Sequence, residues 1–141
     1  MNHPPVIVDT NVVVAGVLTA DDDSPVVRIL DGMLVAAFPF ELSEALLAEY
    51  RTVLIRPKLR KLHGLTVADV ETILTDLAQN AMMLNPARAA APSAPDPKDQ
   101  LLWDLLAANR NLQLVTGDTL LQKDPGMRGR VVSPRMFVTR A

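Results

Sequence analysis

The chain has 141 residues, of which 49% are hydrophobic and 21% are charged, so it is long and apolar enough for one globular domain with its own core. It has no cysteine, which excludes disulfides, thiolate nucleophiles and cysteine-based zinc sites. Its net charge of −2 excludes a strongly basic surface for nucleic acid, although a local basic patch remains compatible with it.

Short apolar runs and helical patterns alternate from the start of the chain. Residues 6–8 are a continuous apolar run that predicts a buried parallel strand. Ser24 then offers a helix cap, and we expect that helix to end at Gly32. A second apolar run over residues 34–38 predicts the next strand.

The middle of the chain carries clear helix signals. Ser43 predicts the cap of an amphipathic helix that ends before Pro57. A short basic helix follows, and Gly64 closes it. Thr66 and Asp69 have the spacing of a variant capping box, which predicts the start of another helix.

A proline-rich connector over residues 85–97 separates these helices from the last third of the chain. Residues 99–109 then predict a helix, and residues 112–115 and 130–132 predict two strands. Ser133 opens a terminal helical turn.

Strands that alternate with helices predict one α/β domain over residues 1–141 with a mostly parallel sheet. No apolar run approaches the roughly 20 residues needed to cross a bilayer. The opening residues also lack the basic stretch of a signal peptide. We therefore expect a cytoplasmic protein that does not enter a membrane.

Acidic residues follow predicted strands and begin predicted helices. Asp9 follows the first strand, Asp118 follows the strand at residues 112–115, and Asp99 begins the helix after the connector. Because parallel strands end at one edge of a sheet, Asp9 and Asp118 are expected to lie near each other. Taken singly, Asp9 is equally typical of an Asx turn or a helix cap, and Asp118 of a turn. Glu49, in the middle of a helix, is typical of a solvated surface.

Clustered carboxylates, with only two histidines in the chain, favour hard cations such as Mg²⁺ or Mn²⁺. Such ions lower the pKa of water and offset charge on a phosphate. The chain has no glycine-rich nucleotide-binding fingerprint. A phosphatase with Asp9 as nucleophile is an alternative, but Asn11 stands where an Asp-x-Asp phosphatase has its second aspartate.

A basic segment lies between Glu49 and Asp69, with no acid inside it. It is typical either of solvated helix ends or of a track for a phosphate backbone. Its members are Arg51, Arg56, Lys58, Arg60 and Lys61.

These motifs, taken in order, resemble the PIN-domain family of metal-dependent ribonucleases. The opening Val-Ile-Val-Asp-Thr-Asn at residues 6–11 looks like the start of that family, and residues 43–49 match its serine-to-glutamate spacing. Asp-Pro-Lys-Asp at residues 96–99 and Thr-Gly-Asp at residues 116–118 match its last two acidic motifs. The resemblance covers nearly the whole chain. Trp103 departs from the pattern, since a smaller aliphatic residue is usual there.

The resemblance implies a three-layer α/β/α fold with a central, mostly parallel five-stranded sheet. It implies endonucleolytic RNA cleavage with one or two Mg²⁺ or Mn²⁺ ions. The catalytic and metal-binding acids it implies are Asp9, Glu49, Asp99 and Asp118. The supporting pocket residues are Asn11 and Thr116, with Asp96 competing with Asp99 for the third acidic position. The residues expected along the RNA backbone are Arg51, Arg56, Lys58 and Arg60.

The end of the chain is similar to the branch of the family described as toxins of toxin–antitoxin pairs (VapBC-type), through the Leu-Leu pair at residues 120–121 and Ser133-Pro134. This similarity implies a homodimer held inactive by a cognate antitoxin. The alternative is a catalytically silent PIN-like module that binds RNA or protein, in which the acids are structural.

Overall fold

The structure is a computed structural model that describes residues 4–84, 94, 97–127 and 129–140. Short strands alternate with α-helices throughout this part of the chain. The strands are β1 (Val6–Val8), β2 (Glu41–Ser43), β3 (Met82–Leu84), β4 (Gln113–Val115) and β5 (Val131–Val132). The helices are α1 (Thr10–Leu18), α2 (Pro25–Leu34), α3 (Glu44–Leu54), α4 (Pro57–His63), α5 (Val67–Asn80), α6 (Gln100–Ala108), α7 (Thr119–Gln122) and α8 (Pro134–Arg140).

All the strand pairs among these residues are parallel. One sheet has the order β1-β4-β5, and β2 pairs with β3 in a second. Val6 also bridges Phe40, just before β2, which sets the two sheets edge to edge in the order β3-β2-β1-β4-β5. The predicted α/β architecture is therefore confirmed. The single five-stranded sheet is not formed as one ladder in the described residues, because β1 and β2 meet only at that bridge.

Three of the cap signals in the sequence are confirmed, whereas Ser24 lies at the cap position of α2 without a side-chain capping hydrogen bond. The Ser43 hydroxyl accepts from the backbone N–H of Leu46 at 3.1 Å and so starts α3. Thr66 and Asp69 exchange side-chain and backbone hydrogen bonds, both of 3.0 Å, which form the capping box of α5. Gly64 ends α4 with a φ of 71°, a conformation that glycine adopts without steric cost.

The predicted strand over residues 34–38 is wrong. The helix α2 continues through Gly32 to Leu34, and the chain then turns at Ala36, which has a φ of 55°. Gly32 is not a stop signal but a point of close approach, because a β-carbon there would lie 2.8 Å from the Phe38 ring. The next strand therefore starts later, at Glu41.

Three elements were not predicted: the helix α1, the strand β3 and the one-turn helix α7. The helix α1 follows β1 directly, in a valine-rich stretch whose β-branched side chains favour a strand on propensity alone. Packing overrides that preference, since α1 is buried against α2 at Gly16 and against α3. The strand β3 is a three-residue edge strand with two exposed methionines, which give it no apolar alternation to detect.

The core joins the strands to the helices behind them. Ile7 of β1, Tyr50 of α3 and Trp103 of α6 are among its fully buried side chains. Trp103, where the PIN pattern has a smaller residue, is thus accommodated inside the core. None of the helices described is long and apolar enough to cross a membrane.

Candidate active site

Asp9 lies at the carboxyl end of β1, where the chain passes from strand to helix. Its backbone N–H donates to the Val115 carbonyl at 2.9 Å, which extends the pairing of β1 with β4. Asp9 is at the cap position of α1, but its side chain makes no capping hydrogen bond. Asp9 is therefore the N-cap residue by backbone position, as one alternative predicted, but its carboxylate does not cap the helix. It is only 6% exposed and faces one partner just after β4 and one in α1.

The Thr116 hydroxyl takes part in most of the hydrogen bonds around the Asp9 side chain. This buried hydroxyl donates to Oδ2 of Asp9 at 2.7 Å and accepts from the backbone N–H of Asp118 at 3.0 Å. One side chain therefore fixes the Asp9 carboxylate and the start of the loop that carries Asp118.

Asn11 completes this network with an orientation that its partners determine. Its Oδ1 accepts from the backbone N–H of Gly117 at 3.2 Å, so its Nδ2 must face the other way. The Nδ2 donates to Asp9 Oδ2 at 3.2 Å and to Thr116 Oγ1 at 3.3 Å. Asn11 thus links the first turn of α1 to the loop after β4.

Asp118 combines the two roles that its sequence context suggested. It is the cap of α7, and its Oδ1 accepts from the backbone N–H of Leu120 at 2.9 Å. It also lines the same pocket as Asp9. A turn residue can therefore present its carboxylate to the site, because the turn lies at the carboxyl end of β4.

Glu49 is half-buried in α3, and not on the solvated surface that a mid-helix glutamate suggests. Its Oε1 accepts from the Thr10 hydroxyl at 2.5 Å. The neighbouring Tyr50 is fully buried and donates to the Val8 carbonyl, which holds α3 against the end of β1. Burial, and then the charges of Asp9 and Glu49, raise the pKa of Tyr50 well above its ordinary value, so its hydroxyl stays protonated.

Asp99 ends a 3₁₀ turn, Pro97–Asp99, that leads into α6. It is half-buried, and its side chain makes no capping hydrogen bond to α6. The predicted supporting residue Asp96 lies outside the described residues, as does most of the connector at residues 85–97.

One pocket of about 490 Å³ brings the four predicted acids together at the carboxyl edge of the strands. We call it the acidic pocket. Its polar lining is Asp9, Thr10, Asn11, Glu49, Asp99 and Asp118, and apolar side chains from α1, α3 and α4 form its outer walls. Thr10 was present in the sequence motif without an assigned role, and only the fold reveals its contact with Glu49.

Negative charge accumulates in the acidic pocket. Burial raises the pKa of Asp9, and the charges of Glu49 and Asp118 raise it further. The hydrogen bond from Thr116 offsets part of this increase. A divalent cation would relieve the repulsion, and an all-oxygen donor set suits Mg²⁺ or Mn²⁺.

In the part of the chain that the structure describes, no three acidic or histidine side chains are grouped closely enough to enclose an ion by themselves. Glu49 is held by Thr10, and Asp118 is held by its own helix start. Carboxylates that are separated in this way still fit Mg²⁺, because this ion usually keeps several waters and binds through one or two carboxylates together with substrate phosphate. The donor set therefore fits a hydrated ion better than a closed cage.

The basic segment divides into two parts. Arg51 pairs with Glu71 of α5 through hydrogen bonds of 2.7 and 3.2 Å, so its guanidinium joins two helices. These bonds raise the pKa of Arg51 and lower that of Glu71. In contrast, the side chains of Arg56, Lys58 and Arg60 are exposed at the start of α4 and along it. The neighbouring Leu59 lines the acidic pocket, so these cations lie close to its rim.

Comparison with known proteins agrees with this geometry. The family model of the PIN domain matches residues 5–120, a span that includes all four acids of the pocket. No curated protein matches the chain. PIN domains are generally nucleases and typically use divalent metals. On the match across most of its length, the chain belongs to the PIN domain family.

Proposed function

We propose that the protein is a metal-dependent endoribonuclease that hydrolyses RNA phosphodiester bonds. The observation that carries this proposal is the convergence of Asp9, Glu49, Asp99 and Asp118 on one pocket at the carboxyl edge of the strands. Four separate parts of the fold deliver these acids: the end of β1, the middle of α3, the turn before α6 and the loop after β4. A purely structural role would not require four acids to share one pocket.

In this proposal, Asp9, Asp99 and Asp118 would hold a hydrated Mg²⁺ or Mn²⁺ ion, in part through its waters, and Glu49 would complete the site or orient the attacking water. The bound cation supplies positive charge that lowers the pKa of water and offsets the charge developing on the phosphate. Thr116 and Asn11 keep Asp9 in place through bonds of 2.7 and 3.2 Å. Preformed positioning of this kind reduces the reorganisation needed during the reaction.

Arg56, Lys58 and Arg60 are the proposed contacts to the RNA backbone. They are exposed on the α4 side of the acidic pocket, where cations attract phosphates at long range. Arg51 is a weaker candidate than its sequence position suggests, because Glu71 already neutralises its charge. We expect cleavage to slow as salt increases, and neutral substitutions of the three exposed cations to flatten that dependence.

The test is cleavage of a pool of structured and single-stranded RNAs in Mg²⁺, Mn²⁺ or EDTA. The proposal predicts cuts that require metal and disappear in Asp9→Asn and Asp99→Asn. Asp76→Asn is the matched control, because Asp76 is an exposed aspartate of α5 outside the pocket. Metal binding without cuts would favour a silent RNA- or protein-binding module, and cuts that survive in Asp9→Asn would refute the proposed site.

We further propose that the protein is a cytoplasmic toxin that is inhibited by a cognate antitoxin. We also propose that it forms a homodimer and that residues 1–141 form a single PIN domain. This proposal rests on the similarity of residues 120–121 and 133–134 to toxin members of the family. Its test is expression in a bacterial host. We expect growth arrest by the wild type, no arrest by Asp9→Asn, and rescue by a small protein encoded beside its gene. Arrest by both forms would refute the toxin role, and sedimentation tests the dimer.

A further inference from the structure

A second pocket of about 400 Å³ lies beside the acidic pocket. The two pockets share Asn11, Ala15 and Asp118, so they are neighbouring parts of one cleft. We call the second one the Gly117 pocket. Its remaining walls come from α1, α2, the loop after β4 and the start of α8, and they are Val12, Val26, Gly117 and Pro134.

The lining of the Gly117 pocket is unsuited to an anion. None of the described residues that line it carries a positive charge, and Asp118 adds a negative charge at its border. Most of its surface is aliphatic, from two valines, an alanine and a proline ring. Pockets of this size with apolar walls and a few polar groups are typical of sites for small uncharged groups.

The part of the cleft that lies outside the Gly117 pocket has the opposite character. There the acidic pocket is bordered by Leu59 of α4, whose neighbours Lys58 and Arg60 are exposed cations. The cleft therefore has exposed cations beside its α4 wall, four acids in the acidic pocket, and an aliphatic Gly117 pocket in which Asp118 is the one charged lining residue among those described. This arrangement matches a chain of phosphates that carries a neutral base.

We propose that the Gly117 pocket binds the nucleobase of the nucleotide next to the scissile phosphate. This inference rests on the proposed nuclease function and adds a substrate subsite to it. Asn11 and Asp118 belong to both pockets, so a base in one places its adjacent phosphate at the other. A base stacked and paired in a duplex cannot enter such a pocket unless it leaves the stack.

Hydrogen bonds hold the wall between the two pockets, which favours a fixed distance from base to phosphate. The Asn11 amide is held on one side by the Gly117 N–H and on the other by Asp9. Asp118 is held at the start of α7 by Leu120. A nucleotide that fits this spacing is presented to the acids in one register, which gives the cleft a means to select its cleavage position.

The first test is independent of cleavage. The four ribonucleosides, which carry no phosphate, are titrated against isotope-labelled protein while valine methyl signals are recorded. The proposal predicts shifts at Val12 and Val26 and none at Val67, an exposed valine at the start of α5. Shifts caused by inorganic phosphate but not by nucleosides would overturn it.

The second test uses a short RNA with one mapped cut and two modified versions of it. Each version has one abasic nucleotide, placed on one side of the cut or on the other. We expect the wild type to lose about tenfold in kcat/KM for one abasic substrate, the loss typical of one bound base. Val26→Trp fills the pocket. With this variant, the kcat/KM values for that abasic RNA and for the unmodified RNA should differ by less than about threefold. Val67→Trp is the control and should keep the wild-type difference. Melting curves check that both variants fold.

The outcomes separate the two proposals. RNA cleavage without base dependence and without nucleoside shifts overturns the subsite and leaves the nuclease intact. Nucleoside shifts at Val26 with no cleavage of any RNA support the subsite as a base-binding site and contradict the nuclease. Absence of both contradicts both proposals.

Discussion

The hydroxyl of Thr10 donates to Oε1 of Glu49 at 2.5 Å and so joins the first turn of α1 to the middle of α3. Thr10 directly follows Asp9, so this bond sets the position of one acid relative to the backbone that carries another. Both side chains line the acidic pocket, and Thr10 is buried. We infer that Thr10 is a positioning residue for Glu49.

Thr10→Val tests this role, because valine keeps the shape of threonine and removes the hydroxyl. We expect kcat to fall by about tenfold with a smaller change in KM, since a lost hydrogen bond to a charged group corresponds to roughly 1.5 kcal/mol. Thr10→Ser restores the hydroxyl and should recover most of the activity. Equal losses in both variants, measured by steady-state cleavage, would indicate a packing role instead.

Asp9→Asn is expected to abolish cleavage and yet stabilise the protein without metal. Burial and the nearby charges of Glu49 and Asp118 raise the pKa of Asp9, so its ionised form destabilises the fold at neutral pH. Asparagine removes that charge and keeps an oxygen to accept from Thr116. We expect Tm to rise by about 2–4 °C in EDTA, which corresponds to roughly 1 kcal/mol in a domain of this size.

Metal should reverse this order. A cation that binds the folded wild type raises its Tm by mass action, whereas Asp9→Asn should gain little. The exposed Asp76→Asn should follow the wild type in both buffers. A lower Tm for Asp9→Asn in EDTA would show that hydrogen bonds to Asp9 outweigh its charge repulsion.

Glu41, which lies outside the acidic pocket, should make the stability of the fold depend on pH. It is 4% exposed on β2, and burial raises its pKa from the ordinary 4.5, partly offset by hydrogen bonds from Asn109. The folded state therefore holds this proton more tightly than the unfolded state. The free energy of unfolding should fall as pH rises from about 4.5 through the raised pKa.

Glu41→Gln removes this ionisation and keeps an amide in its place. We expect the variant to gain stability over the wild type at pH 7.5, with the gain shrinking towards pH 4.5, in urea unfolding at both values. Glu44→Gln, at an exposed position on α3, serves as the control and should show no such difference. A gain that does not depend on pH would contradict the assigned cause.

Gly16→Ala is expected to destabilise the protein by about 1–3 kcal/mol, as overpacking does in tight interiors. A β-carbon at Gly16 would lie 2.9 Å from both the Val26 carbonyl oxygen and the Leu30 β-carbon, so α1 and α2 would have to separate. Chemical unfolding measures the loss. Gly126→Ala is the comparison, because its nearest atom, 3.2 Å away, is the mobile end of the Asp124 side chain. Equal effects would contradict the close approach of α1 and α2.

Local signals in the sequence predicted much of the fold. Ser43, Gly64 and the Thr66–Asp69 pair act through neighbours in the chain, so their roles could be recognised from spacing alone. The prediction that Gly32 ends its helix was wrong, because the glycine is needed there for the close approach of Phe38 across a turn. Likewise, α1 is a helix in a valine-rich stretch because it packs against other helices.

In the candidate site, too, some features could be predicted from local sequence and others depend on tertiary contacts. Asp9 and Asp118 follow strands, so parallel topology alone brings them to one edge. Glu49 could be placed only through resemblance to a family, because nothing in its own helix distinguishes it from a surface glutamate. The bond from Thr10, the orientation of Asn11 and the pairing of Arg51 with Glu71 depend on tertiary contacts that no local pattern encodes.

The most direct test of the central claim is to identify the ends of the RNA fragments made by the wild type in Mn²⁺. Attack by water, as the four-acid pocket implies, needs no 2′-hydroxyl at the cleaved position and cannot leave a 2′,3′-cyclic phosphate. We predict that an RNA with a single 2′-deoxy nucleotide at the mapped cut is still cleaved by the wild type and by Asp76→Asn, and is not cleaved by Asp9→Asn. Loss of cleavage on the 2′-deoxy substrate, together with cyclic phosphate ends on ordinary RNA, would contradict hydrolysis at the acidic pocket.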